Sequence, residues 1–201
     1  MIEQYQTLAS SAGPVEYKEK GSRFLGYAGP LDSVEAVENT ITGLRKKYYD
    51  ATHVCLAYRL GEGAEREFRY SDDGEPSGTA GLPIYHELVR LSLHNVWAAV
   101  VRYYGGVKLG TGGLTRAYSA TARIVLETIP LRTVYLKHQV TIRIGFPFLG
   151  AMMHLIDLFG IEILAQEYTA EGVTLQLAVL VGKWEPFRLA LLEKSAGKLL
   201  I

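Results

Sequence analysis

Apolar positions recur along the chain with two periods, about 2 and about 3.6 residues, and the switches between them mark short strands and longer helices. Val15 to Glu19 and Arg23 to Tyr27 pair as a hairpin turning through Lys20, Gly21 and Ser22. Val34, Val37, Ile41 and Leu44 then fall at helical spacing as far as about Tyr48, behind Asp32 and a capping Ser33. His53 to Arg59 is the next strand, followed by the turn Gly61-Glu62-Gly63 and a short strand near Glu67 to Tyr70. From Ser71 to Gly81 the chain is dense in residues that break regular structure. Pro83 suits a first helical turn, and Ile84, Leu88, Leu91 and Leu93 carry that helix to about Asn95. Val96 to Tyr104 is a continuous apolar run of strand length, expected to be buried on both faces. Glycines 105, 106, 110, 112 and 113 separate it from a helix over about Leu114 to Thr128.

Pro130, Leu131 and Arg132 read as a linker, because the pattern restarts beyond them. Strand Tyr135 to Ile144, helix Phe148 to Phe159, strands Glu162 to Tyr168 and Val173 to Leu180, and helix Trp184 to Ala196 follow in order. Ala170-Glu171-Gly172 turns the last strand pair. A βαββα order is that of a ferredoxin-type sandwich short of one strand. The expectation is an α+β protein of two domains, residues 1–132 and 133–201.

With 48% hydrophobic residues and a mean hydropathy of +0.08, the chain has ample material for packed cores. No apolar run approaches the roughly 18 residues that cross a bilayer, and the first residues lack the pattern of a secretory signal. Cys55 is the only cysteine, so an internal disulfide or thiolate zinc site is out of reach. A reducing, cytoplasmic home is expected. The 21 basic and 21 acidic side chains cancel, yet they are segregated. Gly61 to Glu75 carries a net −4, while Leu88 to Leu126 holds Arg90, Arg102, Lys108, Arg116 and Arg123 and no acid.

Two segments could carry chemistry. In the first, Asp72, Asp73 and Glu75 lie within four residues. Hard cations favour such oxygen ligands, but a calcium loop spreads its ligands over about 12 residues. The bland alternative makes Asp72 and Asp73 turn residues and gives Ser77 or Thr79 the cap of the following helix. In the second segment the glycines let backbone approach a ligand, and the helix start offers free amides to an anion. Arg102, Lys108 and Arg116 would add positive charge, with Tyr103, Tyr104 and Tyr118 as faces for stacking bases. Neither a Walker loop nor the dinucleotide fingerprint is present. Hydrolytic readings find little: His53 and Cys55 share a strand face roughly 6 to 7 Å apart, the other histidines form no zinc motif, and Ser77 and Ser119 lack a nucleophile elbow.

The paired stretches DDGEPSGTAGLPI and RYYGGVKLGTGGLTRAYS, with KGSRFLGYAGP and ATHVCLAYR before them, resemble the signatures of the IMPACT/YigZ family. That resemblance implies a first domain of the ribosomal-protein-S5-domain-2-like fold and a second, ferredoxin-like domain similar to the last domain of elongation factor G. Both folds recur in proteins that touch RNA and ribosomes. Eukaryotic members act in translational control by competing for an activator of a kinase that phosphorylates an initiation factor, a partner not carried over here. Some bacterial members have been labelled proline dipeptidases, for which no metal ligand set is visible. The family's motif positions correspond to Asp72, Asp73, Gly74, Glu75, Ser77, Gly78 and Thr79 in the acidic loop. In the basic loop they are Arg102, Gly105, Gly106, Lys108, Gly110, Gly113, Arg116 and Ser119, with His53, Arg59 and Arg23 elsewhere.

The expectation is therefore a protein that binds RNA or ribosomal particles through the glycine-rich basic loop, without a cofactor, metal or membrane. The competing readings are a small-molecule enzyme using the acidic loop, of phosphotransfer, hydrolase or peptidase type, and a protein-interaction module docking through that loop.

Overall fold

The structure, a computed structural model, describes residues 3–61 and 67–195. The chain forms two compact units, one of Tyr5–Val134 and one of Met1–Gln4 with Tyr135–Ile201. The class is α+β, as the sequence predicts: antiparallel sheets with helices packed on them.

The first unit is built on a five-stranded sheet in the order β2-β3-β6-β4-β5, with every neighbouring pair antiparallel. Its strands are β2 (Ala12–Glu19), β3 (Ser22–Pro30), β4 (His53–Leu60), β5 (Glu67–Ser71) and β6 (Val96–Tyr103). β6 sits at the centre and explains its own sequence. Val96, Ala98 and Val100 enter the core under α2 (Gly81–Arg90) and α3 (Gly110–Glu127), while Trp97, Ala99 and Val101 enter the core under α1 (Val34–Lys47). A strand roofed on both sides has no polar face, hence the unbroken apolar run. α1 starts where expected, with the Ala36 amide donating to Ser33 Oγ at 3.2 Å.

Three boundaries differ from the sequence reading. Gln4–Leu8 forms β1 and pairs with β7 (Leu131–Tyr135), so the expected linker at Leu131 and Arg132 is a strand. Neither strand shows enough alternation to stand out, and each depends on the other for its backbone partners. α2 ends at Arg90 rather than Asn95, because Ser92 and Asn95 take left-handed φ angles of 51° and 53°. The carbonyls freed there are taken up by Arg59, whose Nη1 donates to Leu93 O at 2.6 Å and reaches Leu88 O at 3.5 Å. α3 begins at Gly110, four residues before the apolar periodicity does, so three of the glycines belong to its first turn. The turn after Gly61, with Glu62 and Glu65, and the end of the last helix at Ala196 lie outside the described residues.

The second unit carries a sheet in the order β8-β10-β9, from β8 (Lys137–Gly145), β9 (Glu162–Tyr168) and β10 (Gly172–Leu180). Its helices are α4 (Phe146–Phe159) and α5 (Val181–Lys194). Ile142, Ile144, Leu175, Leu177, Met152, Leu155, Phe187 and Leu191 form one core between sheet and helices. The strand order and antiparallel pairing are those of a ferredoxin-type sandwich lacking its fourth strand. Leu175 is fully buried on the central strand of this unit. Leu175→Ala is expected to destabilise it by about 2–5 kcal/mol, measured as a lowered urea midpoint with an unchanged slope.

Candidate functional site

The acidic loop between β5 and α2 is held almost wholly by its own carboxylates. Asp72 Oδ1 accepts from the amides of Ala80 and Gly81 at 3.0 and 2.8 Å, and its Oδ2 from Gly78 at 2.8 Å. Asp72 thus caps α2 from a distance, a task its own N-cap residue, Ala80, cannot perform. The expectation that Ser77 or Thr79 provides the cap is corrected: Thr79 Oγ1 donates to Pro76 O at 2.6 Å, and Ser77 lies exposed. Asp73 adopts φ 46° and turns back onto β4, taking the Val54 amide at 2.7 Å and Arg45 Nη2 at 2.6 Å. The two side chains of β4 that share a face both reach this loop. His53 Nδ1 lies 2.7 Å from Asp73 O, and Cys55 Sγ donates to Asp72 O at 3.0 Å. Burial pushes the Cys55 thiol well above its ordinary pKa, so it is a small hydrophobe with a satisfied proton and not a nucleophile.

Glu75 closes the arrangement. Its Oε1 accepts from Arg102 Nη1 at 2.5 Å and from the Tyr118 hydroxyl at 2.8 Å, with His53 Nε2 at 3.8 Å. Arg102 also reaches Ser22 Oγ at 3.4 Å, and its guanidinium lies between the rings of Phe24 and Tyr104 at 5.4 and 5.6 Å. The reading of Arg102 as a mobile cation is therefore corrected: at 5% exposure it is a buried strut between the two loops. Among the described residues its Nε has no hydrogen-bond partner. Tyr118 likewise is buried against Cys55 and Glu75 and offers no face for stacking. Among the described residues, no cluster of three His, Cys, Asp or Glu side chains is arranged to hold a metal ion.

The remaining motif residues separate by place. Gly105 is demanded by packing, since a Cβ there would lie 1.9 Å from the Gly21 carbonyl carbon in the β2–β3 turn. Gly106 and Gly110 take φ angles of 84° and 68° with open space where a Cβ would stand. Gly113 packs against Leu109. Arg23 is an exposed partner of Glu16 at 2.7 Å and lies over Tyr103. Ser119 faces away from the loop and donates to Glu87 at 2.5 Å. Glu87 is a residue the sequence reading missed, because a lone acid in a helix carries no local signal. Burial raises its pKa, but hydrogen bonds from Arg123, Ser119 and Arg90 outweigh that and hold it down to about 2.

What stays open is a concavity of about 360 Å³ between the acidic loop and the start of α3. Glu75 and Arg102 contribute to it from inside, Pro76, Leu109 and Leu114 give it apolar surface, and Tyr104, Lys108 and Thr111 stand at exposed positions. Among the described residues no side chain caps α3, so the amides of Gly110, Thr111 and Gly112 begin the helix without a capping acceptor. Further along the same helix Arg116 and Arg123 flank a second hollow of about 290 Å³. The arrangement is that of an open helix start beside an acidic loop whose carboxylates are engaged.

A two-unit α+β protein with this loop pair falls into a defined class. Residues 20–126 match the Impact N-terminal domain and residues 142–198 a domain of unknown function (DUF1949). The chain belongs to the IMPACT family. It is 33% identical to an IMPACT family member of Haemophilus influenzae over 95% of this chain and 93% of that protein. It is also 33% identical to YigZ of Escherichia coli, over 94% and 93%. A Thermus thermophilus member is 38% identical over 89% of this chain and 96% of its own. A crystal structure known only as that of a hypothetical protein superposes with a TM-score of 0.69 at 31% identity, covering 100% of this chain and 97% of that one.

Two measurements test this description. Asp72→Ala removes the distant cap and is expected to cost about 1–2 kcal/mol of stability, read by thermal unfolding. The folded pKa of Glu87 lies below its ordinary 4.5, so its contribution is complete above about 4.5 and is lost as the pH falls through about 2. The stability difference between the native chain and Glu87→Gln should therefore shrink across that acidic window, followed by denaturant titration at each pH.

Proposed function

We infer that this chain binds RNA, on or near the ribosome and in the service of translational control, by seating phosphates on the start and exposed face of α3. The observation that carries this reading is the open concavity at the uncapped helix start, with Lys108 beside it. Backbone amides at a helix N-terminus and the dipole behind them favour negative charge. Arg116 follows on α3 at an exposed position, whereas Arg123 is held by Glu87. Tyr104, 47% exposed, offers a ring at the mouth.

The acidic loop supports the competing readings poorly. Asp72, Asp73 and Glu75 already accept hydrogen bonds from amides, arginines and a tyrosine. A carboxylate so engaged is neither a ready general base nor an available docking charge. The case for RNA rests on the chemistry of α3.

Replacing both Lys108 and Arg116 with alanine tests the reading. Binding to single-stranded RNA should weaken, and the slope of log affinity against log salt should become shallower by roughly 1.4. An affinity and slope equal to those of the native chain would overturn it.

A further inference from the structure

We propose that the outer edge of β5 docks an extended segment of a partner protein, which joins the five-stranded sheet as a further strand and carries an acidic residue between two apolar ones. This goes beyond the RNA reading and does not rest on α3. The strand order leaves β2 and β5 as the two edges of the sheet. An edge presents a row of unpaired N–H and C=O groups, which proteins blunt with proline, bulges or a cover. β2 contains Pro14, and its register against β3 shifts between Ala12 and Val15. β5 contains no proline and pairs with β4 in unbroken register, from Glu67 opposite Leu60 to Ser71 opposite Leu56. Its outer side is thus a regular template.

The side chains of β5 separate onto two unlike faces. Phe68 and Tyr70, 49% and 41% exposed, lie on the side of α2, where both rings meet Tyr85 with centroids 5.0 and 6.3 Å away. Single exposed aromatics need no explanation, whereas rings in contact along the rim of a sheet form a contiguous apolar strip. Arg69 and Ser71 lie on the opposite side. With their partners Tyr58 and Leu56 they line a groove of about 330 Å³ against Val37 and Ile41 of α1.

These faces define the occupant. Successive residues of a strand point to opposite sides, so a strand laid along β5 sets alternate side chains beside Phe68 and Tyr70 and the one between them beside Arg69. The aromatic side favours branched or aromatic partners. The other side favours a carboxylate. Arg69 is exposed, and among the described residues no acid, Glu38 across the groove included, lies within ion-pair distance of it. Arg45, the other cation of the groove, is already held by Asp73 at 2.6 Å. Glu67, at the start of the strand, accepts from the Tyr58 hydroxyl at 2.9 Å. A nucleic acid would use the rings but not the alternating donors and acceptors of the backbone.

The experiment uses the full chain and the fluorescence anisotropy of a labelled eight-residue peptide with a central valine-glutamate-valine flanked by serine and threonine. One control peptide has lysine for the glutamate, and another is methylated on its three central backbone nitrogens. Arg69→Glu reverses the charge at an exposed position, and thermal unfolding confirms that the variant folds. Hydrogen exchange of the native chain locates the peptide.

The glutamate peptide is expected to bind at least tenfold more tightly than either control and to slow amide exchange in β5 but not in β2. Arg69→Glu should reverse the preference in favour of the lysine peptide. No binding, binding indifferent to backbone methylation, or unchanged exchange in β5 would overturn the proposal. So would displacement of the peptide by single-stranded RNA that persists when Lys108 and Arg116 are both alanine, which would give the edge to nucleic acid. Sedimentation of the chain alone covers the remaining occupant: a dimer abolished by Arg69→Glu would give the edge to a second copy and likewise overturn it.

Discussion

A buried ion pair joins the acidic loop to the end of the central strand. Arg102 leaves the end of the central strand and Glu75 leaves the acidic loop, and each is more than nine-tenths buried. Bringing two charges out of water is costly, and attraction offsets that cost only when the remaining polar atoms are also satisfied. Here Tyr118, Ser22 and the two flanking rings do most of that work. Losing one partner would leave the other charge stranded in the core. The pair therefore fixes where the acidic loop can lie, and with it one wall of the concavity beside α3.

Around that pair the three neighbouring carboxylates have different fates, set by geometry rather than by charge. Asp72 serves the backbone of α2, Asp73 serves β4 and Arg45, and Glu75 serves Arg102. A loop that looks acidic on paper is thus electrostatically spent. The basic segment loses one of its expected cations in the same exchange, and its reach toward solvent rests on Lys108, Arg116 and the helix backbone. The glycine at 105 has a comparable structural debt, since it lets the end of β6 pass directly against the β2–β3 turn.

Much of this architecture was legible because periodicity reports burial. The two-sided burial of Val96 to Tyr103, the helix behind Ser33 and the βαββα order of the second unit all follow from patterns within single segments. Illegible parts depend on partners far along the chain. β1 and β7 define each other across more than 120 residues, as the bond from Gln6 to Thr133 shows. Arg102 stands in the run expected to be buried on both faces, but nothing local names the partner, Glu75, that neutralises it there. Glu87 was missed and Tyr118 was misassigned to stacking for the same reason, each acting through side chains contributed by other elements.

Gly112 stands in the first turn of α3 with room for a Cβ, and alanine there would favour the helix by about 1 kcal/mol. Stiffness has been surrendered at that spot. That helix start is therefore held less by its own propensity than by the packing of Leu114, Ala117 and Tyr118 against the core.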